Sequence, residues 1–163
     1  MALQIEILEP LEQPHNQPID GDLYEGFDKY QTYILSHDWP VSMEIDGVPY
    51  EFIVKKGYIY DGASVPRAGW SASRIRPDGL IRAAATLHDP IYETKGNLDL
   101  IEFIECFVYD GAEWVKSDRI WTKKEADQIF RALLIWAGYS KRKVWVIYTA
   151  VKWGGRRAWR ELG

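Results

Sequence analysis

Two alternating segments on either side of Asp46-Gly47 constrain the fold of this 163-residue chain most strongly. Val41–Ile45 and Val48–Val54 each carry apolar residues at every second position, and a two-residue Asp-Gly connection is the sequence that a tight β-hairpin turn prefers. Pro49 has no N–H group, which predicts that the second strand lies at a sheet edge or carries a bulge near its start. The first half of the chain is therefore expected to contain at least one antiparallel strand pair.

Three further segments of the first half are expected to form strands. Leu3–Leu8 alternates apolar and polar residues, which suits a strand with one buried face. Tyr30–Leu35 and Gly57–Tyr60 are short apolar runs that end at turn residues. Together with the hairpin, they predict an antiparallel sheet that is built early in the chain.

The second half reads mainly as helix. A helical stripe of apolar residues follows Pro77-Asp78, and Pro90 is expected to stop or kink that helix near its end. Asp110-Gly111 separates two short apolar segments, Ile101–Tyr109 and Trp114-Val115, and predicts a second hairpin inserted between helices.

Capping residues define two more helices. Thr122 and Glu125 have the spacing of a capping box at the start of a helix over Lys123–Ala137, which Gly138 would end. A further helix is expected from Lys141 to about residue 153, where Gly154-Gly155 would break it. The predicted fold class is α+β, with N-terminal antiparallel strands and hairpins followed by a bundle of about three helices with an inserted β-hairpin.

The composition fits a single domain over residues 1–163. Aromatic residues make up 14% of the chain, too many for a disordered protein. The one cysteine, Cys106, leaves no disulfide partner within the chain and is expected to be a core thiol. The apolar runs are short and interrupted, so we expect no membrane span, and the N-terminus does not resemble a secretion signal.

Opposite charges collect at the two ends of the chain. Residues 1–30 sum to −6 and residues 140–163 to +6, whereas the whole chain carries −4. We therefore expect an extended, acidic, proline-containing arm over residues 9–26 and a basic C-terminal tail over residues 154–163. Opposite ends pair within a chain or between copies, so the pattern favours assembly over nucleic-acid binding.

His88, Asp89 and Tyr92 on the first predicted helix and Asp127 on the second form the main candidate site. His88 and Tyr92 are four residues apart and so lie on one helical face. Asp127 lies beside the apolar face of its own helix, where a carboxylate is costly unless it is paired. Antiparallel packing would bring Asp127 to one nitrogen of His88 and leave the other as a base or a metal ligand. Asp89, which points elsewhere, is a candidate ligand for a hard cation.

A structural interpretation of this cluster stands beside the catalytic one, since a histidine and an aspartate also form buried networks that only join two helices.

A second motif, at residues 61–67, predicts a sharp turn at Gly62, with Asp61 and Ser64 bonding backbone amides ahead of Pro66. Ser64 lacks the surroundings of a nucleophile elbow, so we do not expect a serine nucleophile.

Three blocks of sequence carry a resemblance to a known family. They are Asp61-Gly-Ala-Ser-Val-Pro-Arg67 within residues 57–67, His88-Asp-Pro-Ile-Tyr92 within residues 84–92, and Ala126-Asp127 within residues 125–130. In this order they resemble a phage and prophage family, the domain of unknown function DUF1353, over roughly residues 57–154. The resemblance implies a viral or prophage origin, and with it a location in the virion or in the host cytoplasm during assembly.

The His-Asp-x-x-Tyr block followed by Ala-Asp is also similar to phospholipase-A-type sites. That resemblance implies that His88 is the base that activates water, that Asp127 orients it and that Tyr92 braces the aspartate. It further implies calcium at Asp89, with Asp61 as the candidate substitute for the absent calcium loop. A third pattern, that of metal-dependent phosphohydrolases, would add His37, although His37 falls among the predicted strands.

Two functions follow as alternatives. In the first, the chain is a virion-associated structural component, in a tail or baseplate, or an accessory at the host interface, and binds other phage structural proteins or copies of itself. Arg156, Arg157 and Trp159 are then the expected partner-binding residues, because Trp and Arg often anchor interfaces. In the second, it is a small metal-assisted hydrolase acting on lipid or cell envelope, which predicts that His88 lines an open cleft.

Overall fold

The computed structural model describes residues 2–18, 33–60 and 81–161, apart from the side chains of residues 18, 157, 158, 160 and 161. Its architecture is α+β, as predicted, with antiparallel strands first and three helices later. The predicted motif residues Asp61, Gly62, Ser64 and Pro66 lie outside the described residues.

The strands form two antiparallel sheets. A five-stranded sheet has the order β1-β4-β5-β7-β8, and a three-stranded sheet has the order β2-β3-β6. The strands are β1 (Ile5–Ile7), β2 (Asn16–Pro18), β3 (Tyr33–Leu35), β4 (Trp39–Ile45), β5 (Val48–Val54), β6 (Ile59–Tyr60), β7 (Ile104–Tyr109) and β8 (Trp114–Lys116). The helices are α1 (Arg82–Glu93), α2 (Lys123–Trp136) and α3 (Lys141–Glu161), and a 3-10 turn covers Leu98–Leu100.

The Asp46-Gly47 hairpin is confirmed, but the expected position of its second strand is wrong. Asp46 and Gly47 both have positive φ, 51° and 82°, which the mirror-image hairpin turn requires. β5 is central in the sheet, between β4 and β7, rather than at an edge. Pro49 is tolerated there because it pairs with Glu44 of β4, whereas the ladder with β7 begins only at Tyr50.

The capping signals are confirmed for α2. The Thr122 hydroxyl accepts from the backbone N–H of Glu125, and the Glu125 carboxylate accepts from that of Thr122. Gly138 follows the helix with a φ of 93°. The predicted helix around His88 is present as α1, with Pro90 inside its last turn; the predicted start at Pro77 lies outside the described residues.

The predicted break at Gly154-Gly155 is wrong. α3 runs without interruption from Lys141 to Glu161, so the described part of the predicted tail, residues 154–161, is helix. Gly155 is buried against Tyr92: a Cβ placed on it would lie 2.5 Å from the Tyr92 hydroxyl. The glycine is therefore needed for the close approach of two helices and does not end one of them.

The described part of the acidic segment contacts the rest of the domain. Asn16–Pro18 forms strand β2, which sequence reasoning did not predict, and pairs with β3. Leu11 is buried, and the Trp39 indole donates to the Glu12 carbonyl at 2.8 Å. Residues 19–26 of the predicted arm lie outside the described residues.

One hydrophobic cluster contains residues from both sheets and all three helices. α2 lies at its centre, because it packs against α1, α3 and the edge strand β1. This packing sets α1 beside α2 and brings their polar side chains together. No helix in the described ranges is long and apolar enough to cross a membrane.

Candidate functional site: a buried network around Asp127

Helix α1 places His88 and Tyr92 on one face, as their spacing predicts. The two rings lie 4.0 Å apart between centroids, and Phe130 of α2 packs on His88 at 4.8 Å. The face is buried, as is every residue of α1 from Ala83 to Tyr92. His88 is thus held in one orientation between two helices.

Helix α2 brings Asp127 to that face. Its Oδ1 lies 2.9 Å from His88 Nε2 and accepts a hydrogen bond of 2.6 Å from the Tyr92 hydroxyl. The structure therefore joins three of the residues that the sequence singled out. The Tyr92 contact matches the bracing position that the phospholipase resemblance implies for this tyrosine.

Lys123 completes the network and was missed by sequence reasoning. Its Nζ donates to Asp127 Oδ2 at 2.6 Å and to the backbone carbonyl of Lys152 at 3.1 Å. Lys123 is four residues before Asp127 on α2, a spacing at which opposite charges often pair. That spacing is the signal that the sequence offers. It does not identify a buried pair, because the same spacing is also common on exposed helix faces.

Burial and pairing set the protonation states of the pair. Burial lowers the pKa of His88 despite its contact with Asp127, so the imidazole is neutral at pH 7. Burial alone would raise the pKa of Asp127, but the hydrogen bonds from His88, then Lys123 and Tyr92, lower it. An ionised carboxylate only accepts hydrogen bonds, so His88 Nε2 carries the proton and Nδ1 carries the ring's lone pair.

Among the described residues, no open cleft of the kind that the hydrolase alternative predicts is observed at His88. The side chains of His88 and Asp127 are 0% and 3% exposed. A cavity of about 690 Å³ lies elsewhere, between β1 and the outer surfaces of α2 and α3. Its lining includes Leu3, Ile7, Arg131, Ile135 and Tyr148.

The C-terminal half of α3 covers the network. Gly155 lies against the Tyr92 hydroxyl, and Trp159 meets the Tyr92 ring edge-on at 5.1 Å. Trp159, which was expected to bind a partner, is thus partly buried on the domain's own core. The Arg156 guanidinium lies 4.3 Å from the centre of the Trp153 ring, and the side chain of Arg157 is outside the described residues.

Asp89 is the remaining candidate ligand on α1. It is 9% exposed and lies close enough to Tyr60 to help burial raise that hydroxyl's pKa to about 12. Its partner in the calcium prediction, Asp61, lies outside the described residues. Within the described ranges, no three His, Cys, Asp or Glu side chains converge as a metal site. Since calcium takes about six to eight oxygens, the described residues do not by themselves fit that ion.

His37 and Cys106 are not part of the network. His37 is exposed and contacts His15, 5.0 Å away, and Ser36. Burial raises the pKa of Cys106 to about 12, which favours the inert core thiol that the sequence predicts.

Comparison with known proteins identifies the family. No curated protein and no solved structure matches the chain. A protein-family model described as "Protein of unknown function (DUF1353)" matches residues 33–151, a range that contains α1, α2 and about half of α3. The whole Asp127 network up to Lys152 lies in or beside that range, and the chain belongs to the DUF1353 family.

Proposed function

We propose that the chain is a hydrolase in which His88 is the general base and Asp127 the residue that orients it. One observation carries the proposal: His88 Nε2 lies 2.9 Å from Oδ1 of the buried Asp127 carboxylate, which also accepts a hydrogen bond from the Tyr92 hydroxyl. A carboxylate in this position fixes the tautomer and the ring orientation of a histidine base. Lys123 compensates the charge on the second carboxylate oxygen.

The reaction proposed is the hydrolysis of a carboxylic ester. The Nδ1 lone pair of His88 takes a proton from water while the water oxygen bonds to the carbonyl carbon. The ester C–O bond then breaks, and His88 returns the proton to the leaving alkoxide, giving an acid and an alcohol. Calcium at Asp89 is implied by the phospholipase-A resemblance alone, and the described residues do not by themselves form its site.

The lipid substrate class comes from the resemblance to phospholipase-A-type sites. The contacts of His88 and Tyr92 with Asp127 agree with the roles which that resemblance implies. Because His88 is fully buried, catalysis also requires the site to open and admit substrate. A network that never opens would serve only to join α1 to α2, which is the structural alternative.

The test measures fatty-acid release from vesicles of equimolar phosphatidylcholine and phosphatidylglycerol, with calcium or with a chelator. We expect release by the wild type and a loss of at least about a hundredfold in His88→Gln, since general bases contribute about 10²–10⁴-fold. Gln retains a donor near the position of Nε2 but has no basic nitrogen. His37→Gln, which changes an exposed histidine, is the matched control and should keep full activity.

Two outcomes would overturn the proposal. One is no release by folded wild-type protein under either condition. The other is unchanged release by a His88→Gln variant whose melting temperature matches the wild type. A loss of stability in His88→Gln without any wild-type activity would support the structural alternative.

A second candidate function is supported by a separate observation. Tyr109 and Trp114 form an exposed aromatic pair, with ring centroids 5.6 Å apart, on the hairpin whose strand β8 ends the five-stranded sheet. Exposed aromatics beside an edge strand are typical of contact surfaces. We propose as the alternative that the chain is a virion-associated component, in a tail, a baseplate or at the host interface, that assembles through this hairpin with phage proteins or its own copies.

Assembly is tested by light scattering at increasing protein concentration and by co-sedimentation with particles of the phage that encodes the chain. Trp114→Ser should abolish either association, whereas His37→Gln should leave both unchanged. A wild-type monomer that stays in the supernatant would contradict this candidate.

A further inference from the structure

The outward face of α3 alternates cationic and tryptophan side chains. Successive helical residues are about 100° apart, so six of the exposed residues fall within an arc of about 120°. We call these six residues the outer face of α3: Lys141, Arg142, Trp145, Lys152, Trp153 and Arg156.

The two tryptophans of the outer face are highly exposed. Trp145 is 67% exposed and Trp153 is 59% exposed. They are eight residues apart, so they lie about 12 Å from each other along one side of the helix. The opposite side of α3 is buried in the core through Val144, Ile147 and Val151, which fixes the direction in which the outer face points.

The charge of this face contrasts with that of the chain. α3 contains seven basic residues and one acidic residue, a balance of +6, whereas the whole chain carries −4. The Arg156 guanidinium stacks 4.3 Å from the centre of the Trp153 ring, so one cation and one indole are presented together.

We propose that the outer face of α3 binds the headgroup region of an anionic lipid bilayer. Tryptophan rings are most stable at the boundary between headgroups and acyl chains, and flanking Lys and Arg side chains pair with anionic headgroups. A helix with one face in the protein core and a Trp-rich cationic face outward would lie in the plane of the membrane surface. All six residues would then meet that surface together.

The geometry favours a bilayer over single-stranded nucleic acid. Nucleic-acid strands usually bind in a positively charged groove, with bases stacked on its aromatic residues. The outer face belongs to a single helix and is convex, and its tryptophans lie on the same side of the helix axis. A flat membrane surface would contact both indoles at the same time. A flexible nucleic-acid strand would gain nothing from two indoles that lie on the same side of a convex helix.

The inference deepens the proposed function, because it names the surface on which the substrate would lie. Only this link between membrane binding and hydrolysis rests on the proposed function. The inner side of the same helix contacts the Asp127 network through the Lys152 carbonyl, Gly155 and Trp159. Membrane contact would therefore occur on the helix that contacts Tyr92 and Lys123 of the network.

The test uses the His88→Gln protein, so that binding is measured without turnover. We expect this protein to co-sediment with vesicles of equimolar phosphatidylcholine and phosphatidylglycerol and not with pure phosphatidylcholine vesicles. Changing both Trp145 and Trp153 to Ser should weaken binding at least about tenfold. Changing Lys141, Arg142 and Lys152 to Gln should weaken it about a hundredfold, since each cation near an anionic surface contributes about a factor of five.

Leu100→Ser is the matched control, because Leu100 is as exposed as Trp145, at 67%, but lies in the 3-10 turn Leu98–Leu100. It should bind like its parent. The proposal is overturned if the parent protein fails to bind anionic vesicles, if the double Trp variant binds unchanged, or if a single-stranded oligonucleotide binds more tightly than the vesicles. Failure to hydrolyse lipid with intact vesicle binding would overturn the proposed function and leave this inference standing.

Discussion

Asp127 accepts hydrogen bonds from three side chains, and this concentration of donors explains how a carboxylate is buried beside Phe130. An unpaired buried carboxylate costs several kcal/mol, roughly enough to unfold a marginal domain. Here His88 and Tyr92 bond one oxygen and Lys123 bonds the other. The charge is paired by Lys123, and the histidine remains neutral.

Removing the Lys123 cation should therefore destabilise the protein through Asp127. We expect Lys123→Met to lower the free energy of unfolding by about 1–3 kcal/mol and to raise the pKa of Asp127. Lys124→Met, at an exposed position one residue further along α2, is the control and should change stability by less than about 0.5 kcal/mol. Urea unfolding followed by circular dichroism measures the free energy of unfolding of the two variants. Equal losses of stability in both would contradict the assigned role of Lys123.

The lowered pKa of His88 predicts a dependence of stability on pH. An unfolded histidine has a pKa of about 6.5 and binds a proton below it, whereas buried His88 does not. Stability is therefore complete above about pH 6.5 and falls as pH decreases below it, by up to about 1.4 kcal/mol per pH unit. Urea unfolding at about pH 7.5, 6 and 5 measures the slope. His88→Gln should flatten it, and an unchanged slope in that variant would show that other groups cause the loss.

Sequence alone was sufficient to place most of this network. The four-residue spacing of His88 and Tyr92 and the position of Asp127 beside an apolar face each follow from helical periodicity. Lys123 could not be assigned in the same way, because a Lys-Asp pair four residues apart occurs equally on solvated helices. Only the packing of α3 over α2 shows that this pair is shielded from water.

At the scale of elements, α3 shows how tertiary packing overrides a local signal. Gly-Gly has low helix propensity, and the sequence therefore predicts a break. The buried contacts that follow the two glycines, above all Trp159 on Tyr92, compensate for that low propensity. The sheet position of β5 was predicted wrongly for a related reason. Pro49 lacks only its own N–H, so it prevents a ladder hydrogen bond at that residue alone. β7 pairs with β5 from Tyr50 onward, so it can lie beside β5 despite the proline.

The two adjacent glycines of α3 give a matched pair of variants with opposite expected effects. Gly154 is exposed, so Gly154→Ala should stabilise the helix by about 0.5–1 kcal/mol. Gly155→Ala would place its Cβ 2.5 Å from the Tyr92 hydroxyl and should destabilise the protein by about 1–3 kcal/mol. Thermal unfolding of the two variants measures both changes in stability. Stabilisation by both would mean that α3 does not pack on Tyr92.

At the scale of the whole molecule, both sheets and all three helices of the described residues share one hydrophobic cluster. The sequence predicts the order of elements well because hairpin turns and helix caps are local signals. It does not predict the second sheet, because β2 is only three residues long and is defined by its pairing with β3 rather than by its composition.

A shared core predicts that sheets and helices unfold together, and Cys106 offers a probe of this. It is the only cysteine, it is buried in β7, and its pKa is raised to about 12, so a thiol reagent should react slowly with the folded protein. In increasing urea, Cys106 should become reactive at the same midpoint at which helical circular dichroism is lost. Reactivity at clearly lower urea would indicate that the sheet opens while the helices persist.

The protonation state of His88 is the central claim, because both the base role and the buried network depend on it. Nitrogen NMR of ¹⁵N-histidine-labelled protein measures it directly, with the His88→Gln spectrum assigning the signal. At neutral pH we expect a neutral ring with the proton on Nε2, facing Asp127, and an unprotonated Nδ1. A ring protonated on both nitrogens, or on Nδ1 alone, would contradict the account.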